Sequence, residues 1–136
     1  ANVINKAFYY LDVYKNNNFF MFIHYREPDE LGHLYGENSK EYSDALVQND
    51  QRLGELLSRL KELGIFEDTI FYLTTDHGFN ENARGHHYDP ETFFCSSEDN
   101  LKNNGDRKDI TPTILSRYGI DIAKLSPTLD GVSLSK

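Results

Sequence analysis

Two short clusters constrain this chain most, because each places a carboxylate beside an imidazole directly after a strand-like apolar run. The first cluster covers residues 27–33 and follows the run 19–23, and the second covers residues 74–79 and follows the run 70–73. In open α/β sheets, ligand chemistry collects at the carboxyl ends of buried strands. The side chains expected to converge on one crevice are Asp29, His33, Asp76 and His77.

Bulk composition excludes some partners. The 136 residues carry a formal net charge of −8, and sequence-independent binding to a phosphate backbone normally requires a basic surface. No apolar run approaches the roughly 20 residues that span a bilayer. We therefore expect neither a long nucleic acid nor a membrane as a partner. The single Cys95 cannot form an internal disulfide and is expected to be a buried small hydrophobe.

Hydrophobic spacing predicts alternating helices and strands. The long second helix is expected to begin after a capping-box-like Asn38 and to end at Gly64, and Asp109 is expected to cap the last helix. This alternation favours an α/β fold with a mostly parallel sheet and helices on both faces. The predicted strands are residues 19–23, 69–75 and 92–95. The predicted helices are residues 3–14, the long helix that follows Asn38 and ends at Gly64, and residues 110–118.

The candidate ligands have spacings that suit metal ions. Asp29 and His33 are four residues apart, so a helical turn places them on one face where they can bind one ion. Asp76 and His77 are adjacent, and a second ion is the natural way to use both. A further ligand is expected from the loop histidines His86 or His87. Nitrogen and carboxylate donors suit zinc, with manganese or iron as alternatives.

Each of these signals also has a plainer interpretation. An isolated Asp-His pair on a loop is usually a surface turn or a helix cap, whereas two such pairs at strand ends favour metal binding. His24 lies within an apolar run and is expected to be a hydrogen-bonded core residue rather than a ligand.

Taken together, the motifs resemble those of the alkaline phosphatase superfamily, particularly its phosphodiesterase, nucleotide pyrophosphatase and sulfatase-like branches. They occur in the order typical of that superfamily and extend over nearly the whole chain from Phe19 onward. The motifs are Glu27-Pro28-Asp29 with Gly32-His33 and Gly36, Thr75-Asp76-His77-Gly78-Phe79, His86 with Pro90, Asp109-Ile110-Thr111-Pro112-Thr113-Ile114-Leu115, and Leu129-Asp130-Gly131-Val132-Ser133-Leu134.

The resemblance implies a two-metal site for phosphoryl or sulfuryl transfer. In phosphodiesterase-like members, the positions matching Asp29, His33 and His86 bind one zinc, and those matching Asp76 and His77 help to bind the other. The spacing to Pro90 favours His86 over His87. Two cations about 3.5–4 Å apart can activate a nucleophile and stabilise the oxygens of an in-line displacement.

The chain also departs from the superfamily pattern, because nothing in it matches the N-terminal portion that carries a Thr, Ser or modified Cys nucleophile. Residues 1–136 are therefore expected to be the C-terminal portion of one alkaline phosphatase-like catalytic domain, an incomplete three-layer α/β/α fold. The expected parent is a hydrolase of small phosphate or sulfate esters, and the isolated chain is expected to be inactive and to self-associate. The alternatives are a non-catalytic metal-binding or regulatory module and a phosphomutase-like member.

Overall fold

The computed structural model describes residues 3–87, 92–102 and 104–136. The chain divides into two compact units, one comprising Ala1–Ile70 and His77–Glu91 and the other comprising Phe71–Asp76 and Thr92–Lys136. No helix in the described part combines the length and the apolarity needed to cross a bilayer.

Three helices build the first unit: α1 (Val3–Tyr14), α2 (Glu27–Tyr35) and α3 (Lys40–Glu62). Helix α3 packs against both α1 and α2. Its start is capped by Ser39, whose Oγ accepts a hydrogen bond from the backbone N–H of Tyr42 at 3.1 Å. The cap is thus Ser39 rather than the predicted Asn38. The core side chains of this unit are Ile4, Ala7, Leu11, Ala45, Leu60 and Phe79.

The predicted first strand is extended but pairs with no other strand in the described part of the chain. Exposure alternates along residues 19–25, with odd-numbered side chains half-buried and even-numbered ones exposed. Phe20 is 61% and Phe22 is 79% exposed, and the exposed ring of His24 stacks on that of Phe22. The expected burial of His24 in the core is therefore wrong, because an extended segment without a covering layer leaves one face in solvent.

The second unit contains strands β1 (Tyr72–Thr74) and β2 (Phe94–Ser96), which pair antiparallel with Leu73 opposite Cys95. This ladder is the one sheet within the described ranges, so the content is α/β but the expected parallel sheet flanked by helices is not seen. Cys95 is exposed rather than buried, since its side chain lies on the open face of this small sheet.

Helix α4 (Ile110–Arg117) follows one 3-10 turn, and the buried Asp109 joins that turn to the C-terminal segment. The carboxylate of Asp109 accepts hydrogen bonds from the backbone N–H groups of Asp106 and Val132, both at 2.8 Å. These bonds lower the pKa of Asp109, the bond from Val132 most strongly. The predicted helix is present, and the capping residue that precedes it is Asp106.

Candidate metal centre

Helix α2 presents Asp29 and His33 on one face, as their spacing predicts. Nε2 of His33 lies 3.3 Å from Oδ1 of Asp29. Pro28 occupies the first turn of α2, where a backbone N–H would have no partner within the helix, so its missing N–H costs no hydrogen bond. Negative charge at the positive end of the helix dipole comes from Glu27, Asp29 and Glu30. The first cluster therefore forms a helix start that projects an acid and an imidazole together.

Two further histidines reach the same carboxylate from the segment after β1. Nε2 of His77 lies 3.7 Å from Oδ1 of Asp29, and Nε2 of His86 lies 3.8 Å from it. The two rings stack with their centroids 3.6 Å apart. A tight turn between them, closed by the bond from Asn80 N to the Gly85 carbonyl at 2.9 Å and by Asn82 at φ 58°, returns His86 to the side of His77.

The contacted oxygen of Asp29 is buried, and no described residue donates a hydrogen bond to it. A buried carboxylate oxygen without a donor costs free energy that a cation would recover. One donor atom from each of Asp29, His77 and His86 lies within 4.8 Å of the others. The separations from Asp29 resemble the roughly 3.3–3.5 Å between donor atoms around a tetrahedral zinc, so the residues present fit a single divalent cation.

Backbone carbonyls orient two of the imidazoles. Nδ1 of His33 donates to the carbonyl of Arg84 at 2.7 Å, and Nδ1 of His77 donates to the carbonyl of Gly78 at 3.0 Å. A carbonyl only accepts, so in the neutral ring the proton lies on Nδ1 and the lone pair on Nε2, the atom near Asp29. This arrangement is typical of metal-binding histidines, whose second nitrogen is held by a carbonyl or carboxylate.

The ring of Phe79 packs against three histidines of the cluster. Its side chain is 9% exposed, and its ring centroid lies 5.2 Å from that of His33, 5.5 Å from that of His86 and 6.2 Å from that of His77. Phe79 lies in one of the sequence motifs, but the motif did not predict this contact with the histidines. The sequence signal that could have identified this contact is Gly32, because a glycine on α2 leaves room for a large side chain from another segment to pack against the helix.

The structure brings four of the predicted ligands together in the first unit: Asp29, His33, His77 and His86. The assignment of Asp29, His33 and His86 to one cation and of Asp76 and His77 to another stays a prediction. Asp76 belongs to the second unit, where it forms a bend after β1 and its backbone carbonyl accepts a hydrogen bond from Arg107.

The two loop histidines differ in their surroundings. His86 contributes to the cluster, whereas His87 is exposed and its ring centroid lies 6.0 Å from that of His86. Pro90, which favoured His86 on sequence grounds, lies outside the described residues.

Comparisons with known proteins agree with these motifs. The family described as type I phosphodiesterase / nucleotide pyrophosphatase matches residues 2–128. The bis(5'-adenosyl)-triphosphatase ENPP4 of Bos taurus is 38% identical over 66 residues, 48% of this chain and 15% of that relative. Its Homo sapiens counterpart is 40% identical over 63 residues, 46% of this chain and 14% of that protein.

A further relative is venom phosphodiesterase 2 of Crotalus adamanteus, which is 37% identical over 62 residues, 46% of this chain and 8% of that protein. The matched segments therefore span a small part of these relatives' lengths. No solved structure gives a significant match.

Proposed function

This chain belongs to the type I phosphodiesterase / nucleotide pyrophosphatase family, and on that premise we propose that it forms part of the catalytic domain of a metal-dependent phosphodiester hydrolase. The observation that carries the proposal is the buried, unpartnered Oδ1 of Asp29, which three imidazole nitrogens approach within 3.8 Å. The relatives named triphosphatase and phosphodiesterase support hydrolysis of phosphoric esters or anhydrides.

The proposed cation ligands are Asp29, His77 and His86, with His33 as a fourth donor. One carboxylate and neutral imidazoles form the donor set that zinc prefers, and manganese is the alternative. A bound divalent cation polarises a phosphoryl oxygen and stabilises charge that develops during displacement. Asp29 balances the charge of the cation, and the carbonyls of Gly78 and Arg84 hold two imidazoles in the orientation that binding requires.

For the whole protein, the proposal also includes a second cation, a nucleophile and a parallel sheet. Asp76 is proposed to contribute to a second cation together with ligands from outside residues 1–136, and the nucleophile is proposed to come from there too. The mostly parallel sheet with helices on both faces is likewise proposed for the intact catalytic domain. The matched segments cover 14–15% of the ENPP4 relatives, which supports a larger domain.

Zinc titration of this chain tests the metal assignment. Isothermal calorimetry should detect about one zinc per chain, and Asp29→Ala or His86→Ala should weaken binding at least about tenfold, because each removes a direct ligand. His24→Ala is the matched control, since His24 is an exposed imidazole that stacks on Phe22. Equal zinc affinity in the wild type and in folded Asp29→Ala would overturn the ligand assignment.

Hydrolysis tests the activity itself. The isolated chain should turn over an aryl phosphodiester at the background rate, whereas the full-length protein should be active. In the full-length protein, Asp29→Ala should reduce turnover at least about 100-fold, because the cation would lose its only carboxylate ligand from this cluster. Retained activity of that variant would contradict a catalytic role for the cluster.

A further inference from the structure

The second unit contains a cleft of about 220 Å³ that has no role in the function proposed so far. Its lining comes from residues 92–94, from Thr74 at the end of β1, and from residues 102 and 104–107. Ile110 at the start of α4 and Leu134 near the C-terminus complete it. The candidate metal ligands that cluster around Asp29 belong to the first unit, so the cleft shares no lining residue with that centre.

Backbone contacts fix the shape of the cleft. The backbone N–H of Lys102 donates to the carbonyl of Leu134 at 2.8 Å, and that of Asp106 donates to the Asp109 carboxylate at 2.8 Å. Between these two bonds the chain passes so close to Leu134 that a Cβ atom on Gly105 would lie 2.6 Å from Cδ2 of that leucine. A cleft that is formed before binding loses less conformational entropy when a ligand enters.

Two cationic side chains line the cleft, Lys102 and Arg107. The ammonium of Lys102 donates to the carbonyl of Ser133 at 3.0 Å, and the guanidinium of Arg107 donates to the carbonyl of Asp76. Neither cation forms an ion pair with a carboxylate in the described ranges. A carbonyl holds each side chain without neutralising it, and an ammonium has three donors and a guanidinium five, so both keep donors for an anion.

One acid, Asp106, also lines the cleft among the described residues. Its Oδ1 accepts a hydrogen bond from the backbone N–H of Lys108 at 3.1 Å, as part of the cap of the 3-10 turn. With two cations and one acid, the lining carries one net positive charge. A ligand with a single negative charge would balance it.

Much of the remaining surface of the cleft is apolar. Leu134 is 5% exposed and Ile110 is half-buried, so both are packed in place. The ring of Phe94 stacks on that of Tyr72 with centroids 5.3 Å apart, whereas Phe93 is 50% exposed and offers its ring to a ligand. A hydrated inorganic anion would leave this surface unused, whereas an aromatic ring would bury it.

We propose that this cleft binds a small aromatic monocarboxylate, with the carboxylate on Lys102 and Arg107 and the ring against Phe93 and Ile110. A guanidinium matches a carboxylate with two parallel hydrogen bonds, and an ammonium adds a compact charge. Pockets for drug-sized ligands begin at about 300 Å³, so a cleft of about 220 Å³ suits one ring with a short chain. The inference does not rest on the proposed function, because none of these residues is a candidate metal ligand.

The test is a titration of this chain with 3-phenylpropionate, followed by two-dimensional amide NMR in about 0.15 M salt. The wild type should bind with a Kd of about 1 mM, as expected for so few ligand atoms, and the shifted amides should include Lys102, Gly105 and Arg107. Propionate lacks the ring and 3-phenylpropanol lacks the charge, so each should bind at least about fivefold more weakly. Phenyl phosphate should bind no more tightly, because the lining balances only one negative charge.

Variants of the two cations test the placement of the carboxylate. Lys102→Gln and Arg107→Gln should each weaken binding at least about fivefold, and Arg107→Lys should be intermediate, since lysine keeps the charge but loses the fork. Lys108→Gln is the matched control, because it removes an exposed cation of the same turn that does not line the cleft. The control should change the affinity less than about twofold. Phe93→Ala should weaken binding about threefold through loss of the ring contact.

Several outcomes would overturn the proposal. They are no saturable binding by the wild type, equal affinity for propionate, tighter binding of phenyl phosphate, and equal effects of Lys102→Gln and Lys108→Gln in variants whose amide spectra show a folded chain.

Zinc titration keeps this result apart from the proposed function. Lys102→Gln should retain wild-type zinc affinity, and Asp29→Ala should lose zinc but retain wild-type affinity for 3-phenylpropionate. Failure of the wild type to bind zinc would overturn the metal centre and leave the cleft intact. Loss of 3-phenylpropionate binding in folded Asp29→Ala would place the ligand outside the cleft and overturn the inference.

Discussion

The ring of Phe79 lies directly over Gly32: a Cβ atom at position 32 would be 2.6 Å from Cζ and 2.8 Å from Cε1 of Phe79. Real Cβ atoms do not approach a neighbour so closely, and the ring also contacts three histidines of the candidate metal centre. Close packing of α2 on this ring therefore depends on the absence of a side chain at position 32.

Gly32→Ala should lower the free energy of unfolding by about 1–3 kcal/mol, because the added methyl overpacks against a ring that has little room to move. Urea denaturation followed by circular dichroism measures the change. The matched control is Gly54→Ala in α3, where an added Cβ meets nothing within 4 Å. The control should raise the free energy of unfolding by about 0.5–1 kcal/mol, since alanine favours helix. Equal changes in the two variants would contradict the packing of Phe79 on Gly32.

Phe79→Leu should weaken zinc binding about tenfold, because the three imidazoles lose the surface that fixes their orientation. Zinc calorimetry on folded protein measures this loss. Phe22→Leu removes another phenylalanine ring, one that is 79% exposed, and should leave zinc affinity unchanged. A folded Phe79→Leu variant with wild-type zinc affinity would restrict Phe79 to a packing role.

Asp109→Asn should lower the free energy of unfolding by about 1–3 kcal/mol. Both carboxylate oxygens accept backbone N–H groups, and an asparagine offers only one acceptor oxygen. Asp130→Asn is the control, since Asp130 is an exposed acid in the same unit. An equal loss in both variants would contradict the bridging role of Asp109.

The same carboxylate predicts a pH dependence. The hydrogen bond from Val132, followed by that from Asp106, lowers the pKa of Asp109 in the folded chain. Its contribution to stability is therefore fully present above its ordinary pKa of about 3.9 and is lost as the pH falls through the lower folded value. Unfolding measured across this acid range should depend less steeply on pH in Asp109→Asn than in the wild type.

The hydroxyl of Tyr72 should lose its proton at a higher pH than that of an ordinary tyrosine. Burial, followed by the hydrogen bond that its hydroxyl donates to Glu98, raises the pKa of Tyr72 to about 12. Stability from the neutral hydroxyl is present below the ordinary pKa of about 10 and is lost as the pH rises through about 12. The tyrosinate absorbance difference between the wild type and Tyr72→Phe isolates this residue from the other tyrosines.

Glu98→Gln should lower the pKa of Tyr72, because it removes a charged acceptor while leaving the burial in place. Glu98 also pairs with Arg117 at 2.5 Å, so Arg117→Gln serves as the comparison: it removes an opposing charge and should raise the pKa of Tyr72 further. A pKa near 10 in the wild type would contradict the buried contact.

Local patterns in the sequence predicted α1, α3 and α4. The spacing of Ile4, Ala7 and Leu11 predicted α1, and those three side chains are buried. The four-residue interval between Asp29 and His33 likewise predicted their shared face on α2. Both inferences rest on the period of a helix, which is a property of a few consecutive residues.

Local sequence patterns did not predict the contacts between distant segments. His77 lies beside His86 because a turn, with Asn82 in the left-handed region, reverses the direction of the chain between them. No periodic pattern in the sequence predicts the direction of that turn. The antiparallel pairing of β1 with β2 also depends on partners rather than on composition. A strand pattern predicts an extended backbone, but it does not identify the neighbour that completes its hydrogen bonds.

The alternating exposure of residues 19–25 makes this segment sensitive to its length. One inserted residue at position 21 would reverse the parity of the side chains that precede it relative to those that follow. Phe20 would then turn inward while Phe19 became exposed, or else Tyr25 would rotate away from its contact with Arg52, whose guanidinium carbon lies 5.1 Å from the Tyr25 ring centroid. Inserting two residues would restore the parity, so odd and even insertions should be tolerated very differently in this segment.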